Sequence, residues 1–529
     1  MPDGVLQPQI SAILHLTNDI PYPLEKFYNI VKKILQQYEH ALELVVLDEK
    51  NDKNIAHEIS KMNTEGNPIQ FVNGQTKSQG AWLNAALKKA NGDYLLYLDN
   101  RSAEIYLKQS AAASFLLACE RNPACAMVYA DYEIEQNGEK KEVHLLKHHA
   151  GRVRDNQDYG CVYFLKKALI LEVGGFDENL KFNTLYDARL KISEKAILSH
   201  VANRYAGSLY RVVAESKAHN VFDYLLASKE SQLEAEQVLS DHLKRIKAYL
   251  APGAFYQNRP TPDIKPSLKA SVIVPVNNRP EFINIAIESV LNQTVQDIEM
   301  IIVVNGGEDD PTVPAVRKYM VGGSKYDPQK PEVKLIVLDI NNIGLCLNLA
   351  TKAARGEYYI QLDSDDRLKP FAVEKILQLF ESDSRIGIVI GSYEVWQLNA
   401  ATNKIERVES IPVVTHDEWT EENGRNNLLR INGAGAPRSI PFKIISDMGY
   451  FGINDEPYAR NYGEDYEMVL KISEKYRVER IWEPIYDVVR HEGGTDHSIN
   501  QETIDRNDEA KDHMRMQAIQ RRIKLNQTK

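Results

Sequence analysis

Three carboxylates crowd into Asp363-Ser364-Asp365-Asp366, directly after the apolar run Tyr358-Tyr359-Ile360-Gln361-Leu362. A strand that releases carboxylates at its carboxyl end places them in the crevice where open α/β sheets bind ligands. Hard oxygen ligands there suit a magnesium or manganese ion shared with substrate phosphates. Further along, Glu464-Asp465 opens a helical pattern in which Val469, Ile472 and Tyr476 follow Asp465 along one face. The backbone dipole keeps a carboxylate in a first helical turn ionised. His491 comes just after a strand pattern over 485–490 and before Glu492-Gly493-Gly494-Thr495. Its imidazole, or that of His497, could ligate a metal or touch a diphosphate. Taken singly, these are also an acidic turn, a helix start and a surface histidine.

The elements around them give the set its meaning. The spacing predicts a buried strand over 270–275, a helix over 280–291 and strands over 299–304 and 333–338. A helix over 345–354 then leads into the strand that ends at Asp363. This alternation predicts a mostly parallel sheet covered on both faces.

The pattern occurs twice. Leu190-Lys191-Ile192-Ser193-Glu194-Lys195 recurs as Leu470-Lys471-Ile472-Ser473-Glu474-Lys475. The stretch from Asn91 to Asp99 parallels that from Arg355 to Asp363, and Leu44–Asp48 parallels Ile301–Asn305. Matches in the same order imply duplication of a whole domain. The expected organisation is a domain over 1–219, a helical, proline-containing linker over 220–268, a second domain over 269–500 and a charged tail over 501–529. Within the linker, 228–250 reads as an amphipathic helix, with Leu239, Leu243, Ile246 and Leu250 at helical spacing. The tail, ending in Arg521-Arg522-Ile523-Lys524, reads as a solvated helix, with weak attachment to an anionic membrane surface as a secondary expectation.

At 529 residues the chain is too long for one core. A formal charge of −10 gives no electrostatic reason to expect nucleic-acid binding. Cys119, Cys125, Cys161 and Cys346 lack CxxC spacing and read as free thiols. The first residues lack the pattern of a signal peptide, and no apolar run is long enough to span a bilayer. A cytoplasmic protein is expected, with the inner face of the membrane as an alternative station.

Over about 269–500 the residues resemble the inverting glycosyltransferases of family 2, which have the GT-A fold. The resemblance rests on an ordered set: Ser271-Val272-Ile273-Val274-Pro275-Val276-Asn277-Asn278, Ile302-Val303-Val304-Asn305-Gly306-Gly307, and Asn342-Ile343-Gly344 with Asn348. Arg355-Gly356-Glu357-Tyr358, the Asp363–Asp366 cluster, Gly463-Glu464-Asp465 and Arg490-His491 complete it. The resemblance implies transfer of a sugar from a nucleotide-sugar donor to a hydroxyl of a saccharide or lipid-linked saccharide, with Mn2+ or Mg2+ as cofactor. It places Pro275, Asn277, Asn305 and Asn348 at the donor, together with Asp363, Asp365 and Asp366. Asp366 reads equally as a cap of the following turn. Asp365 and His491 are implied as metal ligands, Asp465 as the general base and Glu464 as the residue that orients the acceptor.

The loop Gly433-Ala434-Gly435-Ala436-Pro437-Arg438 is implied near the acceptor, so Gly435 and Arg438 are candidates there. Trp396 and Trp419 are candidate stacking platforms for sugar rings. The sequence also departs from the family. An aspartate that often reads uracil is Asn305 here, which leaves thymidine and guanosine diphosphate sugars open behind a UDP-sugar.

The first copy keeps Asp99 but sets Arg101 against Asp365, Leu185 against Asp465 and Thr184 against Glu464. It is expected to be a degenerate GT-A-like domain for support, acceptor binding or homo-oligomer formation. A sharper alternative gives Arg101 the metal's place against a diphosphate. Two other functions remain for the whole chain: a non-catalytic carbohydrate-binding scaffold, and a sugar nucleotidyltransferase. The latter is disfavoured because Val276-Asn277-Asn278-Arg279-Pro280 stands where such enzymes carry a Gly-rich basic loop.

Overall fold

The computed structural model describes the chain except residues 1–8, 19–21, 38–41, 63–67, 75–77, 204–206, 214–227, 400–401, 403, 416–423, 432, 434, 454–461, 492–499 and 529. The chain forms two compact α/β units, Met1–His242 and Leu243–Lys529.

In the second unit the apolar runs become the parallel strands Leu268–Val276, Ile298–Val304, Glu332–Val337 and Gly356–Gln361. Their buried residues are rich in Val and Ile, as strands covered on both faces require. The short strand Arg438–Pro441 enters antiparallel between Gly356–Gln361 and the long strand Ile386–Asn399. Ile386–Asn399 then pairs in parallel with Arg477–Arg490, giving a nine-stranded sheet.

The first unit repeats this order. Its seven-stranded sheet runs Ile69–Asn73, Leu42–Asp48, Ile10–Leu16, Tyr94–Leu98, Val162–Lys166, Cys125–Ala130 and Ile197–Val201, with Val162–Lys166 antiparallel to both neighbours. Here the two long strands are interrupted, and a separate four-stranded sheet forms from Glu104–Leu107, Tyr210–Val213, Tyr132–Gln136 and Glu139–Val143. Asp131 lies at one break, where its carboxylate accepts N–H groups from Leu145 (2.8 Å) and Asn203 (3.0 Å).

Buried polar contacts are duplicated as well as strands. In the second unit Ser271 Oγ donates to Glu299 (2.8 Å) and accepts from the Gly356 N–H (3.0 Å), while the Arg355 N–H donates to Glu299 (2.6 Å). Ser11, Glu43, Gly92 and Asn91 make the same knot in the first unit. Glu43 and Glu299 are fully buried, so these hydrogen bonds offset the cost of taking a charge out of water. The knot also corrects one register. Glu43 matches Glu299, so Glu49 and not Asp48 stands at the position of Asn305, and both donate their N–H to the preceding strand, at Leu16 and Val276.

The helix expected over 228–250 spans Lys229–Arg245. It stops because Lys247 adopts a left-handed φ of +63°, which lets the N–H groups of Ala248 and Tyr249 turn back onto Leu243 O. Leu250 is therefore buried beyond the helix and not on its stripe. The unit boundary at 242/243 divides the stretch expected as a linker.

The tail expectation needs correction. Residues Gln501–Gln527 form a helix, but not a solvated one: Arg515 and Arg522 are fully buried. Arg515 donates to the carbonyls of Leu429 and Ile431 (both 2.9 Å), and Arg522 to that of Arg425 (2.7 Å). Arg521 is paired with Glu474 at 2.8 Å. Two of the basic side chains expected to meet a membrane are thus spent inside the unit. Among the described residues no helix is long and apolar enough to cross a membrane. The four cysteines are free.

Candidate active site

The strand Gly356–Gln361 delivers the acidic turn to the carboxyl edge of the sheet. The Asp363 N–H donates to the Tyr486 hydroxyl (3.1 Å), and the Asp366 N–H donates back to Asp363 O (3.2 Å), closing the turn. The three carboxylates then part company. Asp366 is buried and accepts the Val489 N–H at 2.7 Å, which ties the turn to the strand Arg477–Arg490. Burial, with repulsion from Asp363 and Asp365, pushes its carboxyl well above the usual range. Asp366 thus anchors the turn, in keeping with its reading as a structural residue. Asp363 is also pushed up, chiefly by burial; Arg438 opposes this while Asp365 and Asp465 add to it.

Asp365 Oδ2 lies 2.9 Å from His491 Nε2, and the imidazole stacks on Phe282 with ring centres 4.1 Å apart. The two residues named as metal ligands from sequence are therefore together. Among the described residues no group of three or more His, Cys, Asp or Glu side chains is arranged to hold a metal. A pair is nevertheless the donor set expected for a hard divalent ion that completes its shell with substrate phosphate oxygens and water. Asp365 and His491 fit such an ion. His497 and Trp419 lie outside the described residues.

Opposite the turn, Gly463 takes a left-handed φ of +85° and the helix Glu464–Ser473 begins. Asp465 Oδ1 accepts the Tyr466 N–H at 2.7 Å, and Oδ2 lies 3.2 Å from Arg438 Nη1. Arg438 also donates to Gly435 O (2.8 Å), and its field reaches Asp363. The guanidinium thus links the acidic turn to the helix start. Its charge faces the Asp465 carboxylate, and Gly435 supplies a carbonyl that steadies it.

Environment separates the adjacent acids. Glu464 is 6% exposed, and burial followed by the Asp465 charge pushes its carboxyl up to about 8. For Asp465, burial acts upward but is outweighed by Arg438 and Lys511, and the carboxyl is held below its usual value. Burial thus favours the protonated form of Glu464, while the neighbouring cations favour the ionised form of Asp465. Neighbouring acids pushed apart in this way are the arrangement that assigns acid and base roles.

On the donor side Pro275 is half-buried on its strand and Asn277 is exposed at the strand's end. Asn305 is buried; its Nδ2 donates to Asn341 (3.2 Å), and its Oδ1 has no hydrogen-bond partner among the described residues. Asn348 is different: its Nδ2 donates to Phe451 O and its Oδ1 accepts the Phe451 N–H, both at 2.9 Å. Asn84 bridges Phe176 in the same way in the first unit. Asn348 is a staple of the fold, holding the Phe451 backbone through both its side-chain atoms. Trp396 lies apart from these groups. Arg367 covers its ring at 4.4 Å, and it faces an open cavity of about 620 Å³ whose lining includes none of Asp363, Asp365, Arg438 or Asp465.

Sequence reasoning missed Tyr486, Phe282 and Lys511. Lys511 had a visible signal: Lys511, Arg515 and Arg522 share a helical face with Ala518 and Ile519.

The first unit lacks the counterpart of this site. Arg101 grips Asp99 through Nε (2.7 Å) and Nη2 (2.9 Å), and Glu49 replaces Asn305. Leu185 and Thr184 start the helix Thr184–Ser193 without a carboxylate at either position.

Comparison with known proteins agrees with the duplicated architecture. The family model "Glycosyl transferase family 2" matches residues 271–435, and "Glycosyltransferase like family 2" matches residues 17–197. A protein described as an uncharacterised glycosyltransferase from Rickettsia bellii is 24% identical over 411 residues, covering 72% of this chain and 56% of its own length. The chondroitin synthase of Pasteurella multocida is 28% identical over 296 residues, covering 54% of this chain and 28% of its own length. The chain thus spans little more than half of the first relative and under a third of the second. Residues 1–349 of TarS from S. aureus, solved with UDP-GlcNAc, align at 20% identity with a TM-score of 0.34, over 44% of this chain and 62% of that one. With a family match in each half of the chain, the protein belongs to the family 2 glycosyltransferases and carries two of their domains in tandem.

Proposed function

We propose that the second unit transfers a sugar from a nucleoside-diphosphate donor, a UDP-sugar in the first instance, to a hydroxyl of a saccharide or glycoconjugate, inverting the anomeric centre. The observation that carries this reading is the Asp363–Asp365, Arg438, Asp465 line, with Glu464 and Asp465 pushed to opposite charge states. Ionised Asp465 accepts the proton of the acceptor hydroxyl as its oxygen attacks the anomeric carbon. Neutral Glu464 donates a hydrogen bond that orients the acceptor. Inversion is carried over from the resemblance to the inverting enzymes of family 2, in which one base serves a single displacement. Asp365 and His491 would hold Mn2+ or Mg2+, which supplies Lewis-acid neutralisation of the diphosphate charge that grows as the glycosidic bond breaks.

The unpaired Asn305 Oδ1 supports the choice of base. A buried acceptor gains most from a ring N–H, which uracil, thymine and guanine offer and cytosine and adenine lack. The partial match to a chondroitin synthase supports a saccharide acceptor.

The test is a panel of nucleotide sugars incubated with the full chain and Mn2+, scored for release of nucleoside diphosphate. UDP release from at least one UDP-sugar is expected. Asp465→Asn should lower it by about 10²–10⁴-fold, while calorimetric binding of UDP stays near wild type. No release from any donor, or undiminished release by Asp465→Asn, would overturn the proposal.

A further inference from the structure

The loop after the strand Ile298–Val304 holds a buried carboxylate that the proposed chemistry leaves unused. Asp310 is 5% exposed. Its Oδ2 accepts the N–H of Asn278 at 2.9 Å, and its Oδ1 accepts that of Thr312 at 2.8 Å. Thr312 is fully buried, and its Oγ1 accepts the N–H of Arg279 at 2.9 Å. Two side chains of this loop thus hold successive N–H groups of the segment in which Asn277 leaves the strand Leu268–Val276.

The loop is itself tied to the strands on either side. The Asn305 N–H donates to Val276 O (3.0 Å), and the Gly307 N–H donates to Leu338 O (2.7 Å). Gly306 makes room for the carboxylate: a Cβ there would lie 2.2 Å from Asp310 Oδ2. A side chain at 306 and the bond to Asn278 therefore exclude each other. Asn278 takes a left-handed φ of +50°, which asparagine enters because its short polar side chain bonds locally. The Asp310 carboxylate holds the backbone in that conformation.

An aspartate in this loop also reads as a substitute for the base-reading carboxylate that Asn305 replaces. The geometry gives it a different use, because both oxygens are engaged by backbone N–H groups. We propose that Asp310 and Thr312 are positioning residues for the donor, fixing Asn277–Arg279 in the shape that receives a nucleotide sugar. The inference rests on the proposed donor site at Pro275, Asn277 and Asn305. The first unit shows what capping alone looks like. Asp52 caps the helix Lys53–Ser60 through one oxygen, accepting the N–H groups of Asn54 (2.8 Å) and Ile55 (3.4 Å) from that same helix.

The test compares wild type, Asp310→Asn, Thr312→Val and Asp52→Asn in the full chain. Asp310→Asn keeps the size but turns an amide N–H onto one of the two backbone N–H groups. Thr312→Val loses the hydroxyl at constant shape, which keeps the test decisive should the other variant fold poorly. The measurements are KM and kcat for UDP release from a UDP-sugar that wild type turns over, calorimetric Kd for UDP, and melting temperature. Asp310→Asn and Thr312→Val should each raise donor KM and UDP Kd about tenfold, with kcat at saturating donor within about twofold of wild type. Asp52→Asn should lower the melting temperature and leave KM and Kd at wild-type values. An unchanged UDP Kd in Thr312→Val or in folded Asp310→Asn, with wild type binding UDP, overturns this inference alone. An equal rise in Asp52→Asn overturns it too, by reducing the effect to stability. A wild type that binds no UDP overturns the donor reading and this inference with it.

Discussion

At the level of single residues, the chemistry turns on one acid kept neutral beside one kept charged. Glu464 is raised from an ordinary 4.5 to about 8, first by burial and then by Asp465. A carboxyl that binds its proton more tightly when folded gives stability that is fully present below 4.5 and is lost as pH rises through about 8. Asp465, held down, acts in the opposite sense, and its contribution is lost only as pH falls below its usual 3.8. Between pH 5 and 8 Glu464 is therefore the member of the pair that moves stability. Glu464→Gln should flatten the fall in melting temperature that wild type shows across that window, as followed by scanning calorimetry. Parallel curves for the two proteins would mean that Glu464 is ionised throughout.

Elements carry a different kind of information. The helix Ile343–Ala353 is pinned to the Phe451 backbone by Asn348, and the helix Gln79–Lys89 to that of Phe176 by Asn84. Each asparagine satisfies one backbone N–H and one C=O that would otherwise be left unpaired. Asn84→Ala and Asn348→Ala should each cost about 1–3 kcal/mol in denaturant unfolding of the matching unit. Nucleotide binding should not separate them beyond that loss. If Asn348→Ala abolished UDP binding at full stability, the donor role would return.

The same pair shows what was legible in the sequence. Strand order, the acidic turn and the Glu464-Asp465 helix start could be read because apolar periodicity and motif order survive without coordinates. Asn348, Asp366 and Trp396 could not be placed, because residue type states what a side chain can bond to and not where that capacity is used. Lys511 was hidden for a related reason: a charge-rich stretch looks solvated until a partner surface is known. Its face with Ala518 and Ile519 was the available clue.

For the molecule as a whole, duplication kept the scaffold, while the acids of the second unit's candidate site have no counterparts at the matching positions of the first. Both units carry the Ser–Glu–Gly knot and the Asn staple, so both rest on the same buried polar contacts. Arg101 could have replaced a cation only if its guanidinium were open to a diphosphate. Its Nε and Nη2 hold Asp99 at the protein surface, and a bidentate pair of this kind is among the stronger charge-assisted contacts. A diphosphate would compete with Asp99 for those two nitrogens. Glu49, at the position of Asn305, adds a negative charge where a base and diphosphate would enter. All turnover should therefore depend on the second unit. Asp365→Ala in the full chain should leave no diphosphate release above background, with or without Mn2+. Arg101→Ala should retain wild-type rates. Metal-independent turnover that survives in Asp365→Ala and disappears when Arg101→Ala is added would show instead that the Asp99–Arg101 pair opens to admit a donor.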